Sequence, residues 1–385
     1  MPSVERIDAI NPERLAWCLA DMRTSVEQVA KETGLPATRL NDLLQKQGAG
    51  LSYPQLRKLA EYFGRSVLFF LEHGHLDEAD VHSAQFRTLT GLKPEMTRRI
   101  RQLIERVERQ RRIYLNLLDE LAPEDRPRFS PPQLPQDPIA AASIARRWLQ
   151  LGGINSFDGY RSAVEAQGVL VMRTNGYAGP WQIAKDVPVL GFALYDEQTP
   201  LILVKKQDAP ARQTFTLMHE LGHLLLHKAS SIDDDGDLWA ARGRERDVNR
   251  FAAHLLLPDE LLNAIPDTGR PTDQAALHEW LRPWRNSWGL SADVVLLRLV
   301  EAGRMPAEQY AAYKQWRDAR PRPAAEPAPR VYRYREPKNL FGDHYVRTVL
   351  GALNARQISL NKASDYLDGI KVKDIHSLEA FYAGA

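Results

Sequence analysis

Residues 216–227, TLMHELGHLLLH, constrain this chain more than any other stretch. Their apolar run predicts a helix, in which positions four residues apart lie on one face. His219 and His223 have this spacing, so both imidazoles can reach one metal ion. Glu220 lies next to the first histidine, where its carboxylate can contact a water bound to that ion. The segment therefore predicts a metal centre built on a helix.

The H-E-x-x-H pattern is the arrangement of zinc peptidases. Zinc in a hydrolase usually takes three protein ligands and leaves one position for water. Bound zinc lowers the pKa of its water to about 7 and polarises the scissile carbonyl. Glu220 is then expected to be the general base, passing the water's proton to the departing amine. The pattern predicts an enzyme, a zinc metallo-endopeptidase with Zn²⁺ as its cofactor.

The third ligand has to come from outside this motif. The extended metzincin signature would place it at Ala229, which has no ligand atom, so that class is excluded. Residues 242–258, RGRERDVNRFAAHLLLP, predict a helix that offers Glu245 and Asp247, two positions rotated by roughly 200° from each other. We prefer Glu245 and keep Asp247 as the competing candidate. Asn249, one turn after Glu245, is expected to orient a ligand by a hydrogen bond.

Two neighbouring features are expected to lie outside the ligand set. His227 falls one turn further along the face of His219 and His223, but three successive turns span about 12 Å, too far for one ion. We therefore interpret His227 as a residue that supports the ligands. Residues 233–237 form an acidic run without the spacing of a calcium loop. This run is expected to be a solvated acidic loop.

Residues 27–45, EQVAKETGLPATRLNDLLQ, predict a helix-turn-helix. Gly34 makes the turn, Ala30 is small where the helices cross, and Leu40 packs the second helix. Residues 36–47 would form the recognition helix in the DNA major groove. The residues expected to contact DNA are Thr38, Arg39, Asn41, Gln45 and Lys46.

The charge of this region favours only weak DNA binding. Residues 1–75 contain nine Lys or Arg and nine Asp or Glu, whereas phosphate contacts normally supply much of the affinity. A dimer, or the seven arginines of residues 98–112, could compensate. DNA binding and protein docking both remain open for this region.

The composition indicates the cellular compartment in which this protein is expected. The net charge of +2 carries no global nucleic-acid signal. The single cysteine, Cys18, excludes an internal disulfide framework, fits a reducing compartment and is expected to be a core residue. There is no apolar signal core at the N-terminus and no run of about 18 apolar residues. We expect a cytoplasmic protein that does not associate with membranes.

Two further patterns predict secondary structure. Residues 96–121 predict a long amphipathic helix, which is either a dimer seam or a helix packed on its own neighbours. Strands are predicted at residues 168–173, 189–196 and 201–206.

The two motifs closely resemble those of the ImmA/IrrE family of metallopeptidases. HELGHLLLH is followed by ERDVNRFAAHLLLP, residues 245–258, where the family typically has E-x-x-A-N-x-F-A-A-x-L-L-M-P. This chain has Val248 in place of the usual alanine and Leu257 in place of the usual methionine. The resemblance covers about residues 140–266.

This resemblance implies zinc-binding roles for His219, His223 and Glu245, and the catalytic role for Glu220. It also implies a cytoplasmic gluzincin-like protease that cuts a few regulatory proteins, often helix-turn-helix repressors. Residues 54–71 resemble the remaining helices of Cro/CI-like (Xre-type) domains. The fusion of the two is similar to a long subgroup of the family, described as regulators or as parts of toxin–antitoxin operons.

The expected fold is multidomain, with an all-α helix-turn-helix domain, an α+β gluzincin-like zinc metallopeptidase domain and a small helical C-terminal region. The predicted segments are an Xre-type domain (1–75), a connecting helix (76–122), a proline-rich linker (123–138), the peptidase domain (139–266), a helical extension (267–319), a second proline-rich linker (320–330) and the helical C-terminal region (331–385).

The function expected from these parts is a zinc metallo-endopeptidase coupled to a DNA-binding domain. It would act as a transcriptional or stress regulator by cleaving a regulatory protein such as a repressor. The alternative is a transcriptional regulator or antitoxin in which the peptidase fold serves for sensing or docking. Expected partners are a helix-turn-helix repressor or operon partner as substrate, DNA, and a second copy of the chain.

Overall fold

The structure is a computed structural model of the 385-residue chain. It describes residues 6–45, 50–73, 76, 97–121, 128–176, 179–207, 209–234, 236–237, 242–320 and 333–384. The chain divides into two compact units, residues 1–106 and residues 107–385. The division falls within one long helix, Arg98–Leu121. No helix in the described ranges is both long enough and apolar enough to cross a membrane.

The first unit is helical, as predicted. The short helices in its described part are Pro12–Asp21 (α1), Val26–Thr33 (α2), Ala37–Leu44 (α3), Tyr53–Phe63 (α4) and Val67–Leu71 (α5). The Ser25 side chain accepts a hydrogen bond from the Gln28 backbone and so caps α2. Gly34 ends α2 with a φ of 72°, a left-handed conformation that glycine adopts without strain.

Cys18 lies in the core of this unit, as predicted. Its side chain is 1 % exposed among Leu15, Val29, Leu40 and other apolar residues. Burial raises the pKa of the Cys18 thiol to about 12, so the group stays protonated.

The apolar face of the long helix (α6, Arg98–Leu121) is buried within the single chain. Its buried apolar residues are Ile100, Leu103, Ile104, Val107, Tyr114 and Leu117. In the second unit, Tyr114 stacks on Tyr345 with ring centroids 6.1 Å apart. Of the two interpretations from sequence, this burial favours packing on neighbours within the chain, and homodimerisation stays a prediction.

The second unit contains a four-stranded mixed sheet. Its strands are Leu170–Arg173 (β1), Val189–Leu194 (β2), Leu201–Val204 (β3) and Ser231–Asp234 (β4), in the order β1-β3-β2-β4. β1 runs parallel to β3, and β2 runs antiparallel to β3 and β4. The three predicted strands are confirmed. β2 and β3 are buried along their whole length.

β4 corrects the expectation of a solvated acidic loop for the first two residues of the acidic run, Asp233 and Asp234. Ile232 pairs with Phe192 and Asp233 pairs with Gly191 of β2, and Asp233 is only 3 % exposed. Aspartate is a poor strand former, so local propensity does not predict this strand. The strand β4 forms because it pairs with the buried strand β2. A short sequence pattern does not predict such long-range pairing.

The described part of the second unit contains twelve further α-helices. They are Pro138–Trp148 (α7), Phe157–Glu165 (α8), Pro210–Gly222 (α9), Gly243–Leu256 (α10), Asp259–Leu262 (α11), Gln274–Trp280 (α12), Arg282–Trp288 (α13), Ala292–Glu301 (α14), Ala307–Asp318 (α15), Glu336–Asn354 (α16), Leu360–Tyr366 (α17) and Val372–Ala383 (α18). α9 packs on β2, β3 and α10, while α7 covers another face of α10. This arrangement is the α+β architecture that the sequence predicts.

Arg298 holds the C-terminal end of α10 in place. Its side chain is buried on α14, and its Nε donates to the carbonyl oxygen of Leu257 at 3.1 Å. The same guanidinium pairs with Glu301 at 3.2 Å and with Asp259. These charge-assisted hydrogen bonds tie the end of α10 to α14.

A second buried arginine joins the C-terminal helices to the sheet. Arg161 of α8 donates from its Nε to the Val171 carbonyl at 3.0 Å and from its guanidinium to the Asn339 carbonyl at 3.0 Å. Glu165 lies beside it, with Oε1 3.3 Å from the Arg161 Nε, while its Oε2 has no hydrogen-bond partner among the described residues. Burial raises the pKa of Glu165 to about 7, although Arg161 acts in the opposite direction.

The raised pKa of Glu165 predicts a pH-dependent stability. The folded state favours the protonated carboxyl, so this contribution is present below about pH 4.5 and is lost as the pH rises to about 7. The loss amounts to at most about 3 kcal/mol. In wild type, the free energy of unfolding should therefore fall between these pH values, and in Glu165→Gln this fall should be absent. Urea titration at several pH values measures both. Glu308→Gln, an exposed control on α15, should keep the wild-type slope. An unchanged slope in Glu165→Gln would contradict the assignment.

Candidate metal centre

The two histidines of the signature meet on the inner side of α9. His219 lies within α9, and His223 follows directly after the last residue of this helix. Leu217, Met218 and Leu221 anchor α9 in the core and are fully buried. The two imidazoles are buried as well, with their Nε2 atoms 3.2 Å apart. The spacing of four residues places two nitrogen donors at one point.

The chain widens into a π-helical turn at His223–His227. π-helical turns are rare in proteins, and many of those that occur lie at functional sites. His223 uses its Nε2 toward His219, and its Nδ1 lies 3.2 Å from the Nδ1 of His227. His227 therefore contacts the side of the His223 ring that faces away from His219. This position lets His227 orient the ring of His223 without joining the ligands.

Glu245 reaches the same point from the first turn of α10. Its Oε2 lies 3.3 Å from the Nε2 of His219 and 3.3 Å from the Nε2 of His223. Asp247, the competing candidate, is exposed and lies outside the cluster of donor atoms that the described residues form. Of the two acidic residues considered from sequence, the structure places Glu245 beside the histidines.

Asp233 is a further donor that sequence reasoning missed. Its Oδ2 lies 3.3 Å from the Nε2 of His219 and 3.4 Å from the Nε2 of His223. The acidic run was visible in the sequence, but its spacing matched no metal motif. Asp233 reaches the histidines only because β4 pairs with β2 next to α9, which no short pattern encodes.

The donor atoms fit one metal ion. Those of His219, His223, Asp233 and Glu245 all lie within 4.8 Å of one another. Tetrahedral ligands at about 2.0–2.1 Å from an ion lie roughly 3.3–3.4 Å apart, and the five separations that involve a histidine nitrogen are 3.2 to 3.4 Å. The Oδ2 of Asp233 and the Oε2 of Glu245 are buried and have no hydrogen-bond partner among the described residues. Buried oxygen atoms of this kind call for a cation.

The electrostatics of the cluster lead to the same conclusion. Burial tends to lower the pKa of His223, but the adjacent carboxylates of Asp233 and Glu245 raise it to about 9. Burial tends to raise the pKa of Glu245, but the adjacent imidazoles of His219 and His223 hold it at about 2. Without an ion, the carboxylates therefore stay charged only beside protonated imidazoles. A divalent cation would supply that positive charge and leave the imidazoles neutral.

Asn249, which we expect to orient a ligand, contacts His219. The Oδ1 of Asn249 lies 2.9 Å from the Nδ1 of His219, and its Nδ2 donates to the carbonyl oxygen of Asp237 at 3.0 Å. Because the donation to Asp237 sets the orientation of the amide, the Nδ1 of His219 carries the hydrogen. The Nε2 of His219 is then the free acceptor that a metal requires.

Glu220 lies beside the cluster and is fully buried. Ser231 of β4 donates to its Oε2 at 2.8 Å, while its Oε1 has no hydrogen-bond partner among the described residues. Burial raises the pKa of Glu220 well above its ordinary value, and the charge of Asp233 adds to this. Such a pKa is typical of carboxyl groups that transfer protons.

Two glycines make this close packing possible, and sequence reasoning assigned neither of them a role. A Cβ at Gly191 of β2 would lie 2.8 Å from the Oε1 of Glu220. A Cβ at Gly222 of α9 would lie 2.8 Å from the Val248 side chain and 3.1 Å from the Phe251 ring on α10. Gly222 therefore sets how closely the helix that carries Glu245 approaches the histidines.

Gly222→Ala should weaken metal binding. The added methyl group forces α10 away from α9, at a cost of about 1–3 kcal/mol in stability, and shifts Glu245 relative to the histidines. We expect at least a roughly tenfold loss of zinc affinity in chelator competition, the lower range for residues that support ligands. Gly351→Ala on α16 is the matched control, because its Cβ meets the nearest atom at 3.8 Å. Equal affinities in the two variants would contradict this role of Gly222.

The structure describes most of the residues predicted to contact DNA. Thr38 and Asn41 lie on α3 and Gln45 ends it, and all three are exposed, while Arg39 is partly buried. Lys46 lies outside the described residues. Gly34 joins α2 to α3, which is the order of elements that the helix-turn-helix prediction requires. DNA contact itself stays a prediction.

One comparison with known proteins bears on this centre. The family model of peptidase M78, described as an IrrE N-terminal-like domain, matches residues 165–300. The match includes the sheet, α9, α10 and the four donor residues, and it starts and ends later than residues 140–266. Comparisons with curated proteins and with solved structures find no match. The family match supports membership of the ImmA/IrrE family for residues 165–300 and indicates a metallopeptidase.

Proposed function

We propose that residues 165–300 act as a zinc-dependent metallo-endopeptidase. The observation that carries this proposal is the cluster of donors on α9, the turn that follows it and α10, with the buried carboxylate of Glu220 beside it. His219, His223 and Glu245 would hold the zinc ion, which is the two-histidine, one-glutamate set of gluzincins. When bound, zinc would lower the pKa of a water to about 7 and polarise the scissile carbonyl.

Glu220 is the general base of this proposal. Ser231 fixes one carboxylate oxygen of Glu220, so the other oxygen is oriented and available to take the proton of the attacking water. The same carboxyl then delivers this proton to the departing amine. Asn249 and His227 keep the rings of His219 and His223 in position during the reaction.

The sheet supports a peptide as substrate. β4 is the last strand in the order β1-β3-β2-β4, so among the described strands it pairs on one side only. An extended peptide can add to such an edge through backbone hydrogen bonds. β4 also carries Ser231 and Asp233, so a peptide bound there would lie next to Glu220 and the histidines.

Glu220→Gln is the decisive variant for catalysis. It should keep the bound metal and lose cleavage by about 10²- to 10⁴-fold, because the amide cannot accept the proton. Zinc-loaded full-length protein is incubated with a soluble extract of its host, and new protein N-termini are mapped by mass spectrometry. His219→Ala should lose both metal and cleavage, and Asp247→Asn, an exposed change on α10, should retain both. New termini that appear equally with wild type and Glu220→Gln would exclude the enzymatic function.

We further propose that the peptidase is coupled to a Cro/CI-like (Xre-type) helix-turn-helix domain in the first unit. The chain would then be a cytoplasmic transcriptional or stress regulator that cleaves a regulatory protein such as a repressor or operon partner. The order of α2, the Gly34 turn and α3 supports the helix-turn-helix assignment. The alternative is a regulator or antitoxin in which the peptidase fold serves for sensing or docking. Its operator binding or toxin neutralisation would survive Glu220→Gln.

Selection of bound sequences from random duplex DNA tests the role of the first unit. The full-length protein should enrich one sequence, and Thr38→Ala combined with Asn41→Ala should weaken binding to it at least tenfold. A good contact to a base edge contributes about 1–3 kcal/mol. Asn361→Ala, an exposed amide on α17, should leave binding unchanged. If no sequence is enriched, the proposed DNA-binding role is overturned, and protein docking remains as the alternative for the first unit.

A further inference from the structure

The donor cluster contains one protein ligand more than a catalytic zinc site needs. Catalytic sites usually take three protein ligands and keep the fourth position for water, whereas closed four-ligand sites are structural. Here the Oδ2 of Asp233 lies 3.3 and 3.4 Å from the two histidine Nε2 atoms, and the Oε2 of Glu245 lies 3.3 Å from both. By distance, Asp233 is as much a ligand as Glu245.

We propose that Asp233 is the fourth metal ligand and that it closes the site in this form of the protein. Water then gains access to the ion only when the Asp233 carboxylate withdraws, so the centre is latent until β4 shifts. This inference rests on the proposed metallopeptidase function, to which it adds a mode of regulation.

Burial and charge both assign Asp233 to the ion. Its carboxylate is 4 % exposed, and its Oδ2 has no hydrogen-bond partner among the described residues. Asp233 also adjoins the buried Glu220, and its ligand oxygen lies within 4.8 Å of that of Glu245. A buried carboxylate next to two others is costly when the neighbouring imidazoles are neutral, and a directly bound cation offsets that cost.

The position of Asp233 on β4 provides a route for its withdrawal. In the described sheet, β4 pairs with β2 alone. The pairing is irregular at this point, because Asp233 pairs with Gly191 and Asp234 pairs with Val189, with a shift in register between these two β2 residues. Bulges of this kind interrupt the hydrogen-bond ladder, and edge segments open at lower cost than central strands. A local movement of β4 can therefore displace Asp233 while α9 and α10 keep their three ligands.

Cobalt substitution tests this proposal without any measurement of cleavage. Full-length wild-type protein is loaded with Co²⁺ in place of zinc, and its visible spectrum is recorded while azide, a small anion that binds open metal positions, is added. A closed four-ligand site should leave the wild-type spectrum unchanged. Asp233→Ala should open the fourth position, so its spectrum should shift on addition of azide. Asp247→Asn, the exposed control on α10, should behave like wild type.

Metal affinity provides a second readout. Asp233→Ala should bind Zn²⁺ at least tenfold more weakly than wild type in chelator competition, and Asp247→Asn should bind within twofold of wild type. Asp233→Asn keeps the volume of the side chain and replaces Asp233→Ala if that variant does not fold, as judged by circular dichroism. A wild-type cobalt spectrum that shifts with azide overturns the proposal independently of every variant. Equal zinc affinity of wild type and the Asp233 variant overturns it as well.

These outcomes separate the inference from the proposed function. If Glu220→Gln cleaves as wild type does, the peptidase function fails, whereas the azide result still reports whether Asp233 binds the ion. If wild-type cobalt protein binds azide while Glu220→Gln abolishes cleavage, the peptidase function stands and the site is open.

Discussion

Two imidazoles and three carboxylates, all but one of them buried, lie close together in the second unit, and the geometry around them depends on how their charges are balanced. His219 and His223 lie with their Nε2 atoms 3.2 Å apart, beside Asp233, Glu245 and Glu220. Charges of this density are tolerated in a protein interior only when they are paired or bound to a metal. A divalent ion binds the histidine nitrogens and also offsets the negative charge of the carboxylates. Protonated imidazoles offset that charge only in part.

The scaffold brings these charges together through close backbone packing. Gly222 lets α10 approach α9, and Gly191 leaves room for the Glu220 carboxylate above β2. Arg298 fixes the far end of α10, while Asn249 on the same helix orients His219. The helix α10 thus supplies both the donor Glu245 and Asn249, the hydrogen-bond partner of the donor His219. Its position decides whether the centre can form.

β4 connects this centre to the edge of the sheet. Ser231 holds Glu220, and Asp233, two residues later, points at the histidines because alternate side chains of a strand share a face. The strand that orients the base thus also carries the fourth donor. In the proposed function, a peptide added to this edge would contact both residues. Substrate binding would then be coupled to the state of the metal site.

The sequence by itself determined the local features of this protein. It placed the histidines on one helical face, located Glu245 and Asn249 on a second helix, and predicted β1, β2 and β3 as well as the helical first unit. These features follow from helical and strand periodicity over short segments. Only the tertiary structure decided between Glu245 and Asp247, turned an expected acidic loop into β4, and added Asp233, Ser231 and the two glycines to the site. Those contacts join segments that are distant in the chain, and long-range pairing rather than local propensity determines them.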